Sequence, residues 1–363
     1  MELRNAEIEA AIRADPDAAA PYAIYGDWLA EQGEPHGELV AVQLAREANP
    51  ADAELAAREK QLLAETHLAL LGRVTDNRLH PRVEVTWRRG FIYAAEVHTT
   101  YSSQDGADVY PELMRRPVTQ FLRELRLGVA CTSGGGGDRD VSILRALHDH
   151  PPPLLRKLAF DAFDFELSWT HVGALAIANR ALAPVEHLEV ISGDVALGAI
   201  EMPRLRTFRI ETGGLRPNVT DSIARAAWPA LESLVLYFGT PDYGGDCTAS
   251  DTVAVLAGAN LPRVTTLGLC NSMFGDELVE NVVRAPILPR LRHLDLSKGT
   301  IGADGAKLLA KHADVFAHLE SLDLSGNYFS KKQAAALEHI ARRVDVSGQK
   351  LESGYGRFVT VSE

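Results

Sequence analysis

A short leucine motif that recurs along most of the chain is the feature that most constrains its fold. The pattern Leu-x-x-Leu-x-Leu begins at Leu122, Leu231, Leu291 and Leu319. Looser copies, with other apolar residues at the same three positions, begin at Leu155, Val185, Leu205, Val264 and Ala341. Successive copies begin 20 to 33 residues apart. Self-similarity at such a spacing is typical of stacked repeats, in which each unit buries its apolar face only against its neighbours.

Each copy predicts a short strand, and most intervals between copies predict a helix, because their apolar residues recur at spacings of three and four. The predicted helices are residues 141–148, 171–180, 221–227, 252–259, 276–283, 303–311 and 331–340. The repeat that begins at Val185 has 20 residues, which leaves room only for turns on its outer side. Strands stack about 4.8 Å apart and helices about 10 Å apart, so we expect the strands on the concave side of a curved α/β solenoid.

The first 121 residues differ from the repeats and are expected to cover their open end. Residues 1–72 predict an all-helical module with helices at 8–14, 21–31 and 38–47 and a fourth that begins at Asn49-Pro50 and ends at Gly72. Within residues 73–121, the segments 83–87 and 91–97 alternate in polarity and predict a β-hairpin cap. Such a cap protects the first strand's unpaired edge. The repeats occupy 122–347, and 348–363 are predicted to fold over the last repeat as a C-terminal cap strand.

The repeats resemble leucine-rich repeats of the ribonuclease-inhibitor type, most closely in residues 291–310 and 319–327. The resemblance implies parallel strands on the concave side and helices on the convex side. Asn327 stands at the family's turn position, where the amide bonds backbone groups inside the turn. The corresponding residues in the other repeats are Ala130, Phe163, Gly193, Gly213, Gly239, Ser272 and Gly299. We therefore expect the asparagine ladder to be largely missing.

The N-terminal module resembles the repeat-companion domain, a short module found ahead of leucine-rich repeats in bacterial paralogous families, notably in myxobacteria and planctomycetes. The resemblance lies in residues 11–16, 25–33 and 37–40, with Gln43. The family's usual pattern is Tyr-Ala-Asp-Trp-Leu-Glu, and this chain has Gly26 in place of the alanine. The resemblance implies a bacterial lineage and an architecture. It implies no reaction, because no activity is attached to the module.

Charge and composition narrow the classes of function. Lys and Arg number 37 and Asp and Glu number 49, so the net charge is −12. Because phosphate backbones favour clustered cations, we expect no nucleic-acid binding. No apolar run reaches the roughly 18 residues of a membrane span, and the charged start lacks a secretion signal, which favours a cytoplasmic protein. Cys131, Cys247 and Cys270 are too scattered for a disulfide framework or a thiolate zinc site.

No local motif indicates catalysis, a cofactor or a metal. The glycine-rich segment 131–138 lacks the Lys-Ser or Lys-Thr of a phosphate-binding loop and is interpreted as a flexible insertion. His148 and His150, ahead of three prolines, predict an exposed helix end rather than a metal site. Asp27 beside Trp28 is interpreted as a helical acid next to a core aromatic. We therefore expect no catalytic, cofactor or metal site.

Side chains alternate along a strand, so the residues between the repeating apolar positions form columns on the concave face. One column ends in Asp295, Asp323 and Asp345. This acidic row places like charges about 5 Å apart, which costs stability unless a cation meets it. We expect the row to receive a basic surface of a protein partner. In the alternative interpretation Leu-Asp-Leu-Ser is repeat consensus, and His293 and Arg343 neutralise the row internally.

The middle of the same face is less charged. Tyr237 is its one aromatic side chain, and Arg209 and Glu211 flank it. We expect these three residues to contact the same partner as the acidic row.

The favoured function is therefore a non-enzymatic protein-binding scaffold or adaptor, expected to be a monomer. A toxin inhibitor or a defence or immunity protein of the same fold is an alternative. An enzyme whose residues converge on the concave face is an alternative of another class. Self-association through the hairpin edge or the C-terminal strand is a third.

Overall fold

The computed structural model describes residues 4–72, 74, 83–98, 104–131, 141–163 and 166–362. The strands among these residues are β1 Val83–Arg88, β2 Phe91–Val97, β3 Glu124–Gly128, β4 Ala130–Cys131, β5 Lys157–Asp161, β6 Thr170–Ala174, β7 His187–Ile191, β8 Asp194–Ala196, β9 Thr207–Glu211, β10 Ser233–Gly239, β11 Thr266–Ser272, β12 His293–Asp295, β13 Ser321–Asp323 and β14 Val344–Asp345. The glycine-rich insertion lies almost wholly outside the described residues.

The helices in the same part of the chain are α1 Ala6–Ala14, α2 Ala20–Glu31, α3 His36–Ala48, α4 Ala53–Leu71, α5 Gln104–Met114, α6 Ser142–Asp149, α7 Asn179–Leu182, α8 Pro217–Arg225, α9 Ala249–Ala257, α10 Gly275–Val282, α11 Ala303–Lys311, α12 Ala313–Phe316 and α13 Lys331–Leu337. Side chains define several of their ends. Ser330 and Gln333 form a capping box that begins α13, and Gly258 ends α9 in the left-handed region at φ 61°.

Eleven strands form one sheet in the order β1-β2-β3-β5-β7-β9-β10-β11-β12-β13-β14. β1 and β2 are antiparallel, and every later pair in this sheet is parallel. The motif leucines Leu234, Leu294 and Leu322 are paired in register across their strands and buried in one continuous core. The predicted α/β solenoid with a long parallel sheet is therefore confirmed.

Four helices precede the sheet and pack against its hairpin. Tyr22 and Tyr25 of α2 share an apolar cluster with Phe91 of β2 and with Phe121. Asp17, between α1 and α2, places a carboxylate oxygen 3.2 Å from the guanidinium of Arg123 in the first repeat. The fourth helix begins at Ala53, three residues later than the start at Pro50 that Asn49-Pro50 predicted. Asn49 ends α3, and the carboxylate of Asp52 caps α4 by accepting the N–H groups of Glu54 and Leu55.

The prediction of a helix over residues 171–180 is wrong. Residues 170–174 form β6, a 3-10 turn covers Leu175–Ala178, and only one turn of helix, α7, follows. β6 lies between β4 and β8 in a separate three-stranded sheet. β8 also replaces the turns expected on the outer side of the 20-residue repeat. Strand pairing with β4 and β8 replaces the helix here, and Gly173, with φ 79°, interrupts the helical conformation.

The C-terminal segment does not form the expected cap strand. Within residues 348–362 the only β contact is an isolated bridge between Ser353 and Gly356. The segment instead turns back across the loops at the carboxyl ends of the strands. The N–H of Lys350 donates to the Asn327 carbonyl, and the N–H of Thr360 donates to the Lys298 carbonyl. The last strand, β14, is consequently left with the half-buried side chains of Ala341, Val344 and Val346 at the end of the core.

Candidate functional site

The candidate site is the face of the large sheet that carries the outward side chains of its strands, which we call the open face. Strand register places one residue from each of the ten parallel-paired strands, β2 to β14 of this sheet, in a single column across this face. In order, that column is Glu96, Arg126, Ala159, Glu189, Arg209, Val235, Gly268, Asp295, Asp323 and Asp345. The register therefore brings residues that are up to 249 positions apart in sequence, Glu96 and Asp345, onto one surface.

A groove of about 540 Å³ runs along the first half of the open face, from β2 to β10. Small side chains at Ala94 and Ala159 give it depth, and Glu96 and Arg126 stand among them. The groove crosses strands that are neighbours in space, although its lining residues are up to about 140 positions apart in sequence (94 to 235). Residues of six strands, β2, β3, β5, β7, β9 and β10, therefore form the groove together.

Ion pairs connect the charged side chains in this groove. Arg126 lies between Asp161 and Glu189, 3.4 Å from the Glu189 carboxylate. Glu189 is also 3.5 Å from Arg209, which in turn pairs with Glu211. The network leaves alternating charge of both signs along the groove. In protein interfaces generally, complementary charge patterns contribute to specificity.

Tyr237 is not available to a partner in the way expected from the sequence, because only 3% of it is exposed. The guanidinium of Arg209 lies 4.7 Å from its ring centroid, and the ammonium of Lys298 lies 5.2 Å from it. Both cations also donate to its hydroxyl, Arg209 at 3.0 Å and Lys298 at 3.2 Å. Tyr237 therefore positions two cations on the open face, and these partly exposed cations, not the phenol ring, form the surface there.

The cation at Lys298 was missed in the sequence analysis. Burial lowers the pKa of Lys298, but the hydrogen bond to the Tyr237 hydroxyl and the nearby Glu211 carboxylate outweigh burial, so that the pKa of Lys298 is raised. Lys298 adopts φ 66°, a left-handed conformation that is uncommon for a lysine. That conformation cannot be read from Leu-Ser-Lys in the sequence, and it directs the side chain over the neighbouring strands.

Asp295, Asp323 and Asp345 do stack in register on β12, β13 and β14. Each carboxylate accepts the backbone N–H two residues later, at 2.8 Å in all three cases. Burial raises the pKa of Asp323, and the charges of Asp295 and Asp345 add to that increase. The row therefore has a local structural role in its turns and still carries unrelieved like-charge repulsion.

The internal neutralisation proposed for the acidic row does not occur. His293 shares a hydrogen bond with the Ser321 hydroxyl at 2.8 Å and lies 3.7 Å from Glu320. Arg343 donates to the Glu320 carbonyl at 3.5 Å. Both side chains thus lie near the amino end of β13, at Glu320 and Ser321, and not beside the acidic row. No ion pair to the acidic row exists in the described part of the chain.

The repeat turns contain one residue that the sequence analysis overlooked. The Asn327 amide donates to the carbonyls of Leu296 and Leu324 and accepts the N–H of Ile301, as the family position requires. Gln349 does the same in the last repeat, donating to the Leu324 carbonyl and accepting the N–H of Phe329. Its place eight residues after Ala341 was the signal that could have identified it.

The other residues considered from the sequence do not assemble into a site. Asp27 is exposed on α2, and Trp28 lies against Tyr25 with ring centroids 5.7 Å apart. Over the residues that the structure covers, no three His, Cys, Asp or Glu side chains converge in a way that could hold a metal ion. No helix in the same residues is long and apolar enough to cross a membrane.

Comparisons with known proteins support the repeat architecture. A family model described as a leucine-rich repeat matches residues 289–310. No curated protein matches the chain. A protein from Bacteroides fragilis, solved by a structural genomics consortium, has a similar fold with a TM-score of 0.65 and 22% identity, over 85% of this chain and 86% of that one. An internalin from Listeria monocytogenes shares 14% identity over 67% of this chain and 70% of its own, with a TM-score of 0.29.

The Bacteroides protein supports the fold, whereas the internalin, because of its low TM-score, carries no weight for the architecture. The family match falls on the repeat that contains β12 and α11, whose sequence is among the most regular. The same turn and strand geometry continues into the neighbouring repeats through the Asn327 and Gln349 amides. One repeat of this chain, residues 289–310, is thus similar to a leucine-rich repeat, and the repeats stack into an α/β solenoid.

Proposed function

We propose that this chain is a non-enzymatic scaffold of the bacterial cytoplasm that binds a protein partner on its open face. The observation that carries the proposal is the column of ten residues in strict register, which ends in an acidic row without an ion-pair partner in the described chain. Solenoids use such extended surfaces to bind other proteins. A lysine or arginine of the partner would relieve the repulsion among Asp295, Asp323 and Asp345.

The groove and the acidic row suggest two different contributions to binding. The alternating charges around Glu189 would fix the orientation of the partner, because like charges placed opposite each other are costly. The acidic row would increase the rate of association with a basic surface and would make that rate sensitive to salt. On this proposal, Arg209 and Lys298 contact acidic groups of the partner at the centre of the face, where Glu211 balances them.

The N-terminal helices and hairpin have a supporting role in this proposal. We assign residues 1–72 to a repeat-companion module and residues 73–121 to the cap of the first repeat. The shared cluster of Tyr22, Tyr25, Phe91 and Phe121 supports the assignment, because it joins the two segments in one apolar core. The module would then stabilise the end of the groove at β2, where Glu96 begins the column.

The test compares the wild-type chain with two variants of the open face in affinity capture from the cytosol of the source cell. The first variant carries Asp295→Asn, Asp323→Asn and Asp345→Asn, which removes the charges and keeps the oxygens that accept the turn N–H groups. The second carries Ala159→Trp, which fills the groove from an outward position. We expect a protein that the wild type retains at low salt and that both variants lose.

A control variant carries Glu280→Gln, Asp304→Asn and Glu338→Gln, three exposed acids on or beside the outer helices. It has the same net charge as the first variant and should retain the partner as the wild type does. Capture of the same proteins by all four chains would contradict the proposal. Loss of the partner from the control as well would show that binding depends on net charge and not on the open face.

A further inference from the structure

The C-terminal segment, residues 350–362, crosses the loops that follow the strands and runs opposite to the order of the repeats. We call the loop residues beneath it the rim. Lys350 contacts the loop after β13, Thr360 contacts the loop after β12, and Val361 contacts the end of β11. The carbonyl of Ser362 reaches Gly213, after β9. An extended segment thus spans the rim of four repeats without joining a sheet.

Asn271 holds the main chain of this segment. Its side-chain oxygen accepts the N–H groups of Thr360 and Val361 at 3.0 and 2.8 Å, and its amide donates to the Val361 carbonyl at 2.6 Å. Asn271 is fully buried, and its backbone has φ 57°. Without these three hydrogen bonds, burial of the amide would be disfavoured by its full desolvation free energy. The rim therefore contains a polar group whose bonding capacity is matched to a peptide main chain.

A second contact selects a side chain. Arg357 donates to the Asp276 carboxylate at 2.9 Å and to the Thr300 carbonyl at 2.6 Å. Gly302 makes room for it, because a Cβ atom there would lie 2.0 Å from the guanidinium. At the far end, a Cβ atom on Gly213 would lie 2.3 Å from the Ser362 carbonyl oxygen. The rim thus offers an acid for an arginine and glycines where the segment passes closest.

Apart from Val361, which packs against the main core, the segment buries little apolar surface. Leu351 is 93% exposed and Tyr355 is 92% exposed, so the stretch before Arg357 projects into solvent. The attachment depends mainly on hydrogen bonds and one ion pair, each of which competes with water and therefore stabilises the attached segment only weakly. An attachment of this kind can be exchanged for an equivalent segment with the same main-chain and arginine contacts.

We propose that the rim is a binding site for an extended peptide. Residues 357–362 occupy it within the chain, and a segment of a protein partner replaces them. The partner segment carries an arginine followed, three and four residues later, by a threonine-valine or similar pair. This site is separate from the groove, and the inference does not depend on the proposed function of the open face. Lys298 connects the two, because its carbonyl accepts the Thr360 N–H while its side chain covers Tyr237.

The experiment uses the full chain with a weakened tail. Arg357→Ala removes the ion pair, and Thr360→Pro removes an N–H that two rim oxygens accept. The probe is a fluorescent synthetic peptide with the sequence of residues 351–363, and binding is measured by anisotropy. We expect the double variant to bind this peptide with one-to-one stoichiometry. The wild-type chain should bind it at least about tenfold more weakly, because its own tail competes.

Two controls make the result specific. The same peptide with Thr360→Pro should bind the double variant at least about tenfold more weakly, a factor that corresponds to ~1.4 kcal/mol. Adding Asn271→Ala to the double variant should weaken binding of the unmodified peptide by a similar factor. If the double variant unfolds cooperatively at the wild-type temperature and binds neither peptide, or binds both equally, the rim is not a peptide site.

A measurement on the wild-type chain covers the case in which the double variant does not fold. Excess unmodified peptide should displace the tail and accelerate tryptic cleavage after Arg357, whereas the proline peptide should not. An unchanged cleavage rate with the unmodified peptide overturns the proposal.

Discussion

Asp323 shows how one residue can serve a turn and still be unfavourable in its charged form. Its oxygen accepts the Ser325 N–H at 2.8 Å, which an asparagine could do equally well. Burial and the flanking charges of Asp295 and Asp345 raise its pKa. The folded chain therefore prefers the protonated carboxyl, and the charge lowers stability once the pH rises through that raised pKa.

We predict that Asp323→Asn raises the free energy of unfolding at neutral pH by about 0.2–1 kcal/mol at low ionic strength. The gain should disappear as the pH falls below the ordinary carboxyl value of 3.8, because the wild-type group is then protonated in both states. Urea unfolding across this pH range measures it.

Asp345→Asn is the matched control for this prediction. Hydrogen bonds from Ser347 lower the pKa of Asp345, so its charged form is favoured in the folded chain. The asparagine there should give no gain at neutral pH. A gain equal to that of Asp323→Asn would show that the burial of Asp323 and its position between two carboxylates are not the cause.

Whether a contact between two residues can be predicted from the sequence depends on whether the spacing of the repeats determines that contact. The stacking of the acidic row follows from the period of the leucine motif, so it could be derived. The cover of Tyr237 by Lys298 and the capture of the tail by Asn271 depend on left-handed backbone conformations at φ 66° and 57°. Side chains at those positions do not follow the alternating orientation of a strand, and no periodic pattern in the sequence predicts their direction.

At the scale of elements, the crossing of α2 and α3 depends on two glycines. A Cβ atom on Gly37 would lie 2.5 Å from the Gly26 carbonyl oxygen and 2.7 Å from the Ala30 nitrogen. A Cβ atom on Gly26 would lie 3.0 Å from the Val40 side chain. Backbone atoms cannot yield without moving a helix, whereas a side chain can shift slightly. Gly26 is also a position at which the sequence departs from the repeat-companion pattern.

We predict that Gly37→Ala lowers the free energy of unfolding of the N-terminal helices by about 1–3 kcal/mol through overpacking. Gly26→Ala should have a much smaller effect, since the alanine gains about 1 kcal/mol of helix propensity against the contact with Val40. Urea unfolding followed by the fluorescence of Trp28 measures both variants. Equal losses for the two variants would mean that the crossing is not the close contact described.

Element prediction was reliable where an amphipathic helix had its full length and failed at residues 171–180. That segment has apolar residues at helical spacings, but Thr170 and Val172 are buried in β6 and Gly173 interrupts the helical conformation. The competing partner, β8, comes from the short repeat and is distant from β6 in sequence. Apolar periodicity cannot distinguish a short buried strand from a helix when the partner is unknown.

At the scale of the whole molecule, the leucine spacing predicted a single spine of parallel strands, and the path of the tail was not predictable. The tail is held by Asn271, Asp276 and Lys298, whose spacing in sequence has no regular period. A segment attached by main-chain bonds leaves no apolar pattern of its own. The expectation of a cap came from the need to cover the last repeat, but the chain leaves that end partly open at β14.

That open end bears on self-association, and we predict a monomer. A sheet edge invites pairing with another chain when it is long, flat and apolar. Here one edge strand, β14, has two residues and is preceded by the exposed Arg342 and Arg343, and the other, β1, exposes Glu84. Light scattering coupled to gel filtration should give 39.4 kDa at every loading concentration. A mass that rises toward twice this value with concentration would instead support pairing of sheet edges. If β14 is the edge involved, Val344→Arg should then abolish that rise in mass.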